Sequence, residues 1–108
     1  MLFTIVIYNA DFAKNLANLL VENVANAQVR VKKASDLFDC LALLKQSISS
    51  DYLILIGEIE KKYEGAFYTG LAVLQADTGK SIIKKIFSED EQPPSLEEIL
   101  EDILNKIR

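Results

Sequence analysis

The stretch from Tyr52 to Ile59, reading Tyr-Leu-Ile-Leu-Ile-Gly-Glu-Ile, limits what this chain can fold into more than any other segment. Its apolar residues fall at successive positions instead of alternate ones, which is the pattern of a strand buried on both faces in the middle of a sheet. Leu2 to Tyr8, Leu-Phe-Thr-Ile-Val-Ile-Tyr, has the same character. Helical patterns separate the two segments, so they are expected as parallel neighbours at the sheet centre.

The intervening chain supplies those helices. Asp11 is placed to cap a helix in which Phe12, Leu16, Leu19, Leu20 and Val24 form one apolar face, running to about Ala27. Gln28 to Ala34 alternates, with Val29 and Val31 opposite Arg30 and Lys32, so it reads as an edge strand with a solvated side. Ser35 is the expected cap of a second helix with Leu37, Cys40, Leu41, Leu44 and Ile48 as its buried stripe. Right-handed crossovers then put the second strand on one side of the first and the third on the other, with the two helices on opposite faces. The order 2-1-3 reverses between strands 1 and 3, and the crevice at their carboxyl ends is where open α/β sheets bind ligands.

Beyond Ile59 the pattern changes. Glu60 to Gly65 reads as a polar turn, Ala66 to Gln75 as an extended apolar segment, and Ser81 to Phe87 as another. Asp77-Thr78-Gly79 between two apolar runs has hairpin chemistry, with Gly79 free to take positive φ, and Gly70 suggests a bulge or a close contact. After an acidic connector ending in Pro93-Pro94, Ser95 and Glu98 form a capping box for a final amphipathic helix. The whole reads as a single α/β domain over residues 1–108, a three-layer Rossmann-like or flavodoxin-like sandwich. Its expected strand order is 2-1-3-4-5, with strands 4 and 5 an antiparallel hairpin, and residues 88–108 form the connector and last helix.

Composition narrows the chemistry. There is no His, so acid–base work near neutral pH would fall to a carboxylate, Lys or Tyr with a shifted pKa. The single Cys40 forms no internal disulfide and sits in a helical stripe, where a packing role is expected. Met1 runs into a strand with no basic leader, and no apolar run approaches the ~20 residues that span a bilayer. A cytoplasmic protein without membrane attachment is expected. The net charge of −4 is uneven: residues 88–108 carry seven acids and two bases, which leaves residues 1–87 at +1. That balance argues against a dominant nucleic-acid surface.

Three motifs bear on function. Gly79-Lys80-Ser81 matches the end of a phosphate-binding loop, but Leu74 stands where its first Gly belongs, so no such loop is expected. Glu60-Lys61-Lys62 has the E-x-K spacing of some metal-dependent nucleases, a spacing that a charged turn explains equally well. Near the expected crevice lie Tyr8, Asn9, Asp11, Ser35, Gly57 and Glu58, a candidate ligand site in which Asp11 and Glu58 are candidate Mg²⁺ ligands. This is similar to the arrangement of phosphoryl-transfer receiver domains, from which the chain departs in carrying Glu58 where a receiver carries Asp. The order of elements also resembles that of the small α/β stalk subunit of rotary ATPases, a likeness of architecture and length alone.

These features favour a non-catalytic protein-interaction or assembly module, homodimeric or bound to a protein partner and without a cofactor. Ile82, Ile83, Ile86 and Phe87, on an exposed edge strand, are its expected interface. The alternatives are a ligand- or Mg²⁺-binding domain using the crevice between strands 1 and 3, with phosphate chemistry, and a nucleic-acid-associated protein.

Overall fold

The computed structural model describes residues 1–107. Its elements are β1 (Leu2–Tyr8), α1 (Ala13–Asn23), β2 (Gln28–Lys33), α2 (Leu37–Gln46), β3 (Tyr52–Glu58), a short 3₁₀ turn (Lys61–Tyr63), α3 (Glu64–Thr78), β4 (Ile82–Phe87) and α4 (Leu96–Ile107). The strands form one sheet in the order β2-β1-β3-β4, and every neighbouring pair is parallel. This is an α/β fold with a four-stranded parallel sheet and four α-helices, and a Rossmann-like arrangement is compatible with it.

The successive apolar residues of β1 and β3 serve two cores. Phe3, Ile5, Ile7, Ile54 and Ile56 point to one face and meet Leu16 and Leu20 of α1 and Ile99 and Ile103 of α4. Val6, Leu53 and Leu55 point to the other and meet Cys40 and Leu44 of α2 and Phe67 and Leu71 of α3. Each strand is therefore buried on both sides by a helical layer, as a parallel sheet requires.

The expected hairpin is replaced by a helix. Phe67, Leu71 and Leu74 recur at i, i+4 and i+7 and form the inward stripe of α3. The segment 66–75 is accordingly a crossover, and the strand after it runs parallel to β3, with Leu53 opposite Ile82 and Glu58 opposite Phe87. There is no fifth strand among the described residues, and Asp77-Thr78-Gly79 ends a helix instead of turning a hairpin. Gly79 does take positive φ, at 69°, and its N–H donates to the Gln75 carbonyl at 2.9 Å, closing the last turn of α3. Gln75 Oε1 in turn accepts from the Ile82 N–H at 2.9 Å, so the helix end fixes where β4 begins. Gly70 marks a close contact of helices: a Cβ there would stand 3.0 Å from Leu41 Cδ1 of α2.

Two caps are shifted. Phe12, not Asp11, precedes α1, with no side-chain cap, and the helix stops at Asn23, whose amide donates to the Leu19 carbonyl at 2.7 Å. In α2 the cap is Asp36, which accepts from the Asp39 N–H at 2.8 Å, while Ser35 gives its own N–H to Asp39 Oδ2 at 2.9 Å. The cap sits one residue along from the expected Ser35, and the carboxylate of Asp36 satisfies the third N–H of the helix that begins after it. The Ser95 cap of α4 stands, accepting from the Glu98 N–H at 3.2 Å.

Candidate functional site

β1 and β3 end side by side, with Tyr8 opposite Gly57. Gly57 is needed there because a Cβ would lie 3.1 Å from the Tyr8 carbonyl oxygen and 3.4 Å from Tyr8 Cβ. The absence of a side chain lets Tyr8 settle beside β3. One residue further along each strand, Asn9 Nδ2 donates to Glu58 Oε2 at 2.8 Å. Asn9 has φ of 53°, a left-handed conformation that Asn tolerates better than other non-Gly residues. Both ends are also tied to their neighbours: the Ala34 N–H donates to the Ile7 carbonyl at 2.8 Å, and the Ile59 N–H to the Phe87 carbonyl at 2.9 Å.

Above these ends, on the α2/α3 face, opens a cavity of ≈ 470 Å³. Tyr8, Asn9 and Glu58 form its floor, Leu37, Phe38 and Leu41 of α2 one wall, and Tyr63, Ala66 and Phe67 the other. Asp36, Glu60 and Glu89 complete the rim. Its volume lies within the range of small-molecule sites. Phe38 is 84% exposed at the edge of this opening and Tyr63 is 47% exposed, so two aromatic faces remain in water beside an apolar cleft. Lys62 lies outside the lining, its ammonium 3.4 Å from Glu60 and 5.0 Å from the centre of the Tyr63 ring. Hydrogen bonding to Glu60 holds its pKa above the usual lysine value.

The six residues expected at the crevice separate. Tyr8, Asn9 and Glu58 line the cavity, and Gly57 lies directly beneath Tyr8. Asp11 lines a different opening of ≈ 370 Å³ on the α1 side, together with Phe12, Val31 and Lys33. The chain reverses at Asn9 and carries Asp11 toward the other face of the sheet. Asp11 and Glu58 therefore do not share a site, and among the described residues no three acidic or thiol groups converge to hold a metal ion. Ser35 gives both its N–H and its hydroxyl to Asp39. Ile82, Ile83 and Phe87 are at most 6% exposed, because α3 covers one face of β4, with Ile82 in its core, and α4 the other, with Ile83 in its core, and Ile86 is half-buried.

The other motifs are also accounted for. Gly79-Lys80-Ser81 leads from a helix into a strand, the reverse of a phosphate-binding loop, and lies at the opposite end of the sheet, where Lys80 Nζ donates to the Ser50 carbonyl at 2.8 Å. Glu60 and Lys62 pair with each other. Sequence reasoning missed Phe38, Tyr63, Ala66 and Phe67. The signal for Phe38 is its position off the buried stripe of α2, an aromatic with nothing in the helix to cover it. The other three depend on α3 being recognised as a helix.

No protein-family model matches this chain, and no curated protein matches it either.

Proposed function

We propose that this chain is a ligand-binding α/β module that holds a small organic molecule with a flat apolar part in the cavity at the carboxyl ends of β1 and β3. The observation that carries this is the cavity itself: ≈ 470 Å³, open at the switch point of the sheet, with Phe38 and Tyr63 exposed at its edge. A flat ring entering between those walls would remove aromatic surface from water and meet the polar Asn9–Glu58 pair at the floor. The reading stops at binding, since the chain has no His and, among the described residues, no nucleophile paired with a base lines the cavity. An assembly role through Ile82, Ile83, Ile86 and Phe87 is less favoured, since Ile82, Ile83 and Phe87 are buried in this chain and Ile86 is half-buried, although β4 is still an edge strand.

Ala66 supplies the test. It lies on the exposed side of α3 and lines the opening, so Ala66→Trp fills the mouth of the cavity without entering either core. A library of ring-bearing fragments is screened by ligand-observed NMR. Fragments are expected to bind the native chain, shift Tyr8, Asn9, Phe38 and Tyr63, and lose at least tenfold in affinity with Ala66→Trp. Hits that ignore Ala66→Trp, or that shift residues elsewhere, overturn the proposal.

A further inference from the structure

We infer that the cavity selects a positively charged ligand: an aromatic ring carrying a protonated amine, without phosphate or carboxylate. This rests on the cavity being a ligand site and concerns what that site admits. Four lining side chains, Asp36, Glu58, Glu60 and Glu89, are carboxylates, and among the described residues no Lys or Arg lines the opening. Two bases flank the rim: Lys62 is directed onto Glu60 and the Tyr63 ring, and Lys61 onto Asp90.

An anion would have to be held by backbone N–H groups at the start of α2 or α3, and part of that donor set is already engaged. Asp36 takes the Asp39 N–H at 2.8 Å, and Asp39 takes the Ser35 N–H at 2.9 Å. The chain enters α3 through a 3₁₀ turn in which the Tyr63 N–H donates to the Glu60 carbonyl at 2.9 Å. The lining side chains offer a ligand chiefly acceptors and ring faces. Among the described residues Glu58 Oε2 is bonded by Asn9 and Oε1 has no protein donor, so a ligand N–H at the floor would complete its shell. The exposed ring of Phe38 at the mouth attracts cations in the same sense, as the Tyr63 ring already does with Lys62 on one face.

The test compares ring probes that differ in charge: tryptamine, indole-3-propionate and phenyl phosphate, each titrated by NMR at low and high salt. Tryptamine is expected to bind at least tenfold more tightly than either anion, with the preference shrinking as salt rises and falling severalfold in Glu58→Gln. Anions that bind as well as tryptamine, at a site still blocked by Ala66→Trp, overturn the charge preference and leave the cavity standing as a ligand site. If no ring probe of any charge binds, both readings fall together.

Discussion

Asn9 and Glu58, each one residue past the paired Tyr8 and Gly57, close the gap between two parallel strands with a 2.8 Å hydrogen bond from the Asn9 amide to the Glu58 carboxylate. The bond holds the floor of the cavity, and it is made from a backbone in the left-handed region, φ 53°. Two effects are superimposed at Asn9, and substitutions separate them. Asn9→Ala loses the bond and keeps a conformation costly for a side chain with a Cβ, so urea unfolding is expected to show a loss of about 1–2 kcal/mol. Asn9→Gly loses the bond and relieves the backbone, so its loss should stay under about 0.5 kcal/mol. A Gly variant no better than the Ala variant would put the weight on the hydrogen bond alone.

Gly57 and Gly65 predict opposite signs. A Cβ at Gly57 would press on the Tyr8 carbonyl oxygen at 3.1 Å, a backbone atom held within the β1–β3 ladder. Gly57→Ala is therefore expected to cost about 1–3 kcal/mol and to displace Tyr8 at the cavity floor. Gly65, in the first turn of α3, has nothing within 4 Å of its would-be Cβ. Gly65→Ala should stabilise the chain by about 0.5 kcal/mol through the smaller entropy of its unfolded state. Thermal unfolding of the two variants reads the contrast directly.

The parts of the fold legible in the residues are those where one physical requirement leaves one pattern. β1 and β3 are buried on both faces, so their apolar residues run without alternation, and nothing else of that length does so. α3 was not legible because its outer face is apolar too: Tyr68 is 39% exposed and Val73 55%, which blurs the spacing of Phe67, Leu71 and Leu74. Two glycines in the same helix added to the appearance of a non-helical segment. Gly79 could not arbitrate, because a hairpin turn and a helix end both ask it for positive φ. The site follows the same division. Tyr8, Asn9, Gly57 and Glu58 can be placed from topology alone, since strand ends at a switch point must adjoin. Asp11 could not be placed, because the turn at Asn9 decides which face it joins, and that turn leaves no mark in the spacing.

Ile83 separates a core strand from an interface strand. It belongs to the α1/α4 core with 6% of its surface exposed. Ile83→Ala is expected to destabilise the chain by about 3 kcal/mol, from lost transfer energy and the cavity left behind. The melting temperature of the native chain should not move with protein concentration on account of this face. A rise of several degrees per tenfold increase in concentration would show that β4 is completed by another chain.

Cys40 gives the alkaline limb of stability. Burial against Leu44 and the sheet pushes its thiol up from an ordinary 9.0 to about 12, with the Asp39 and Asp36 carboxylates acting in the same direction. The folded state therefore holds the proton more tightly than the unfolded state. Its contribution is fully present below pH 9 and is lost as pH rises toward 12, at about 1.4 kcal/mol per pH unit between those values. Alkaline pH acts on more than one side chain, so the quantity to measure is the difference between the native chain and Cys40→Ala. Cys40→Ala starts less stable, by a constant cavity cost of about 1–2 kcal/mol, and the gap should narrow and then invert between pH 9 and 12. A gap that stays constant would mean that the thiolate is accommodated without unfolding. Reaction with a thiol reagent at pH 8 supplies the kinetic counterpart. With Cys40 fully buried on the α2 side of the sheet, modification should require opening of that layer and should slow in proportion to global stability.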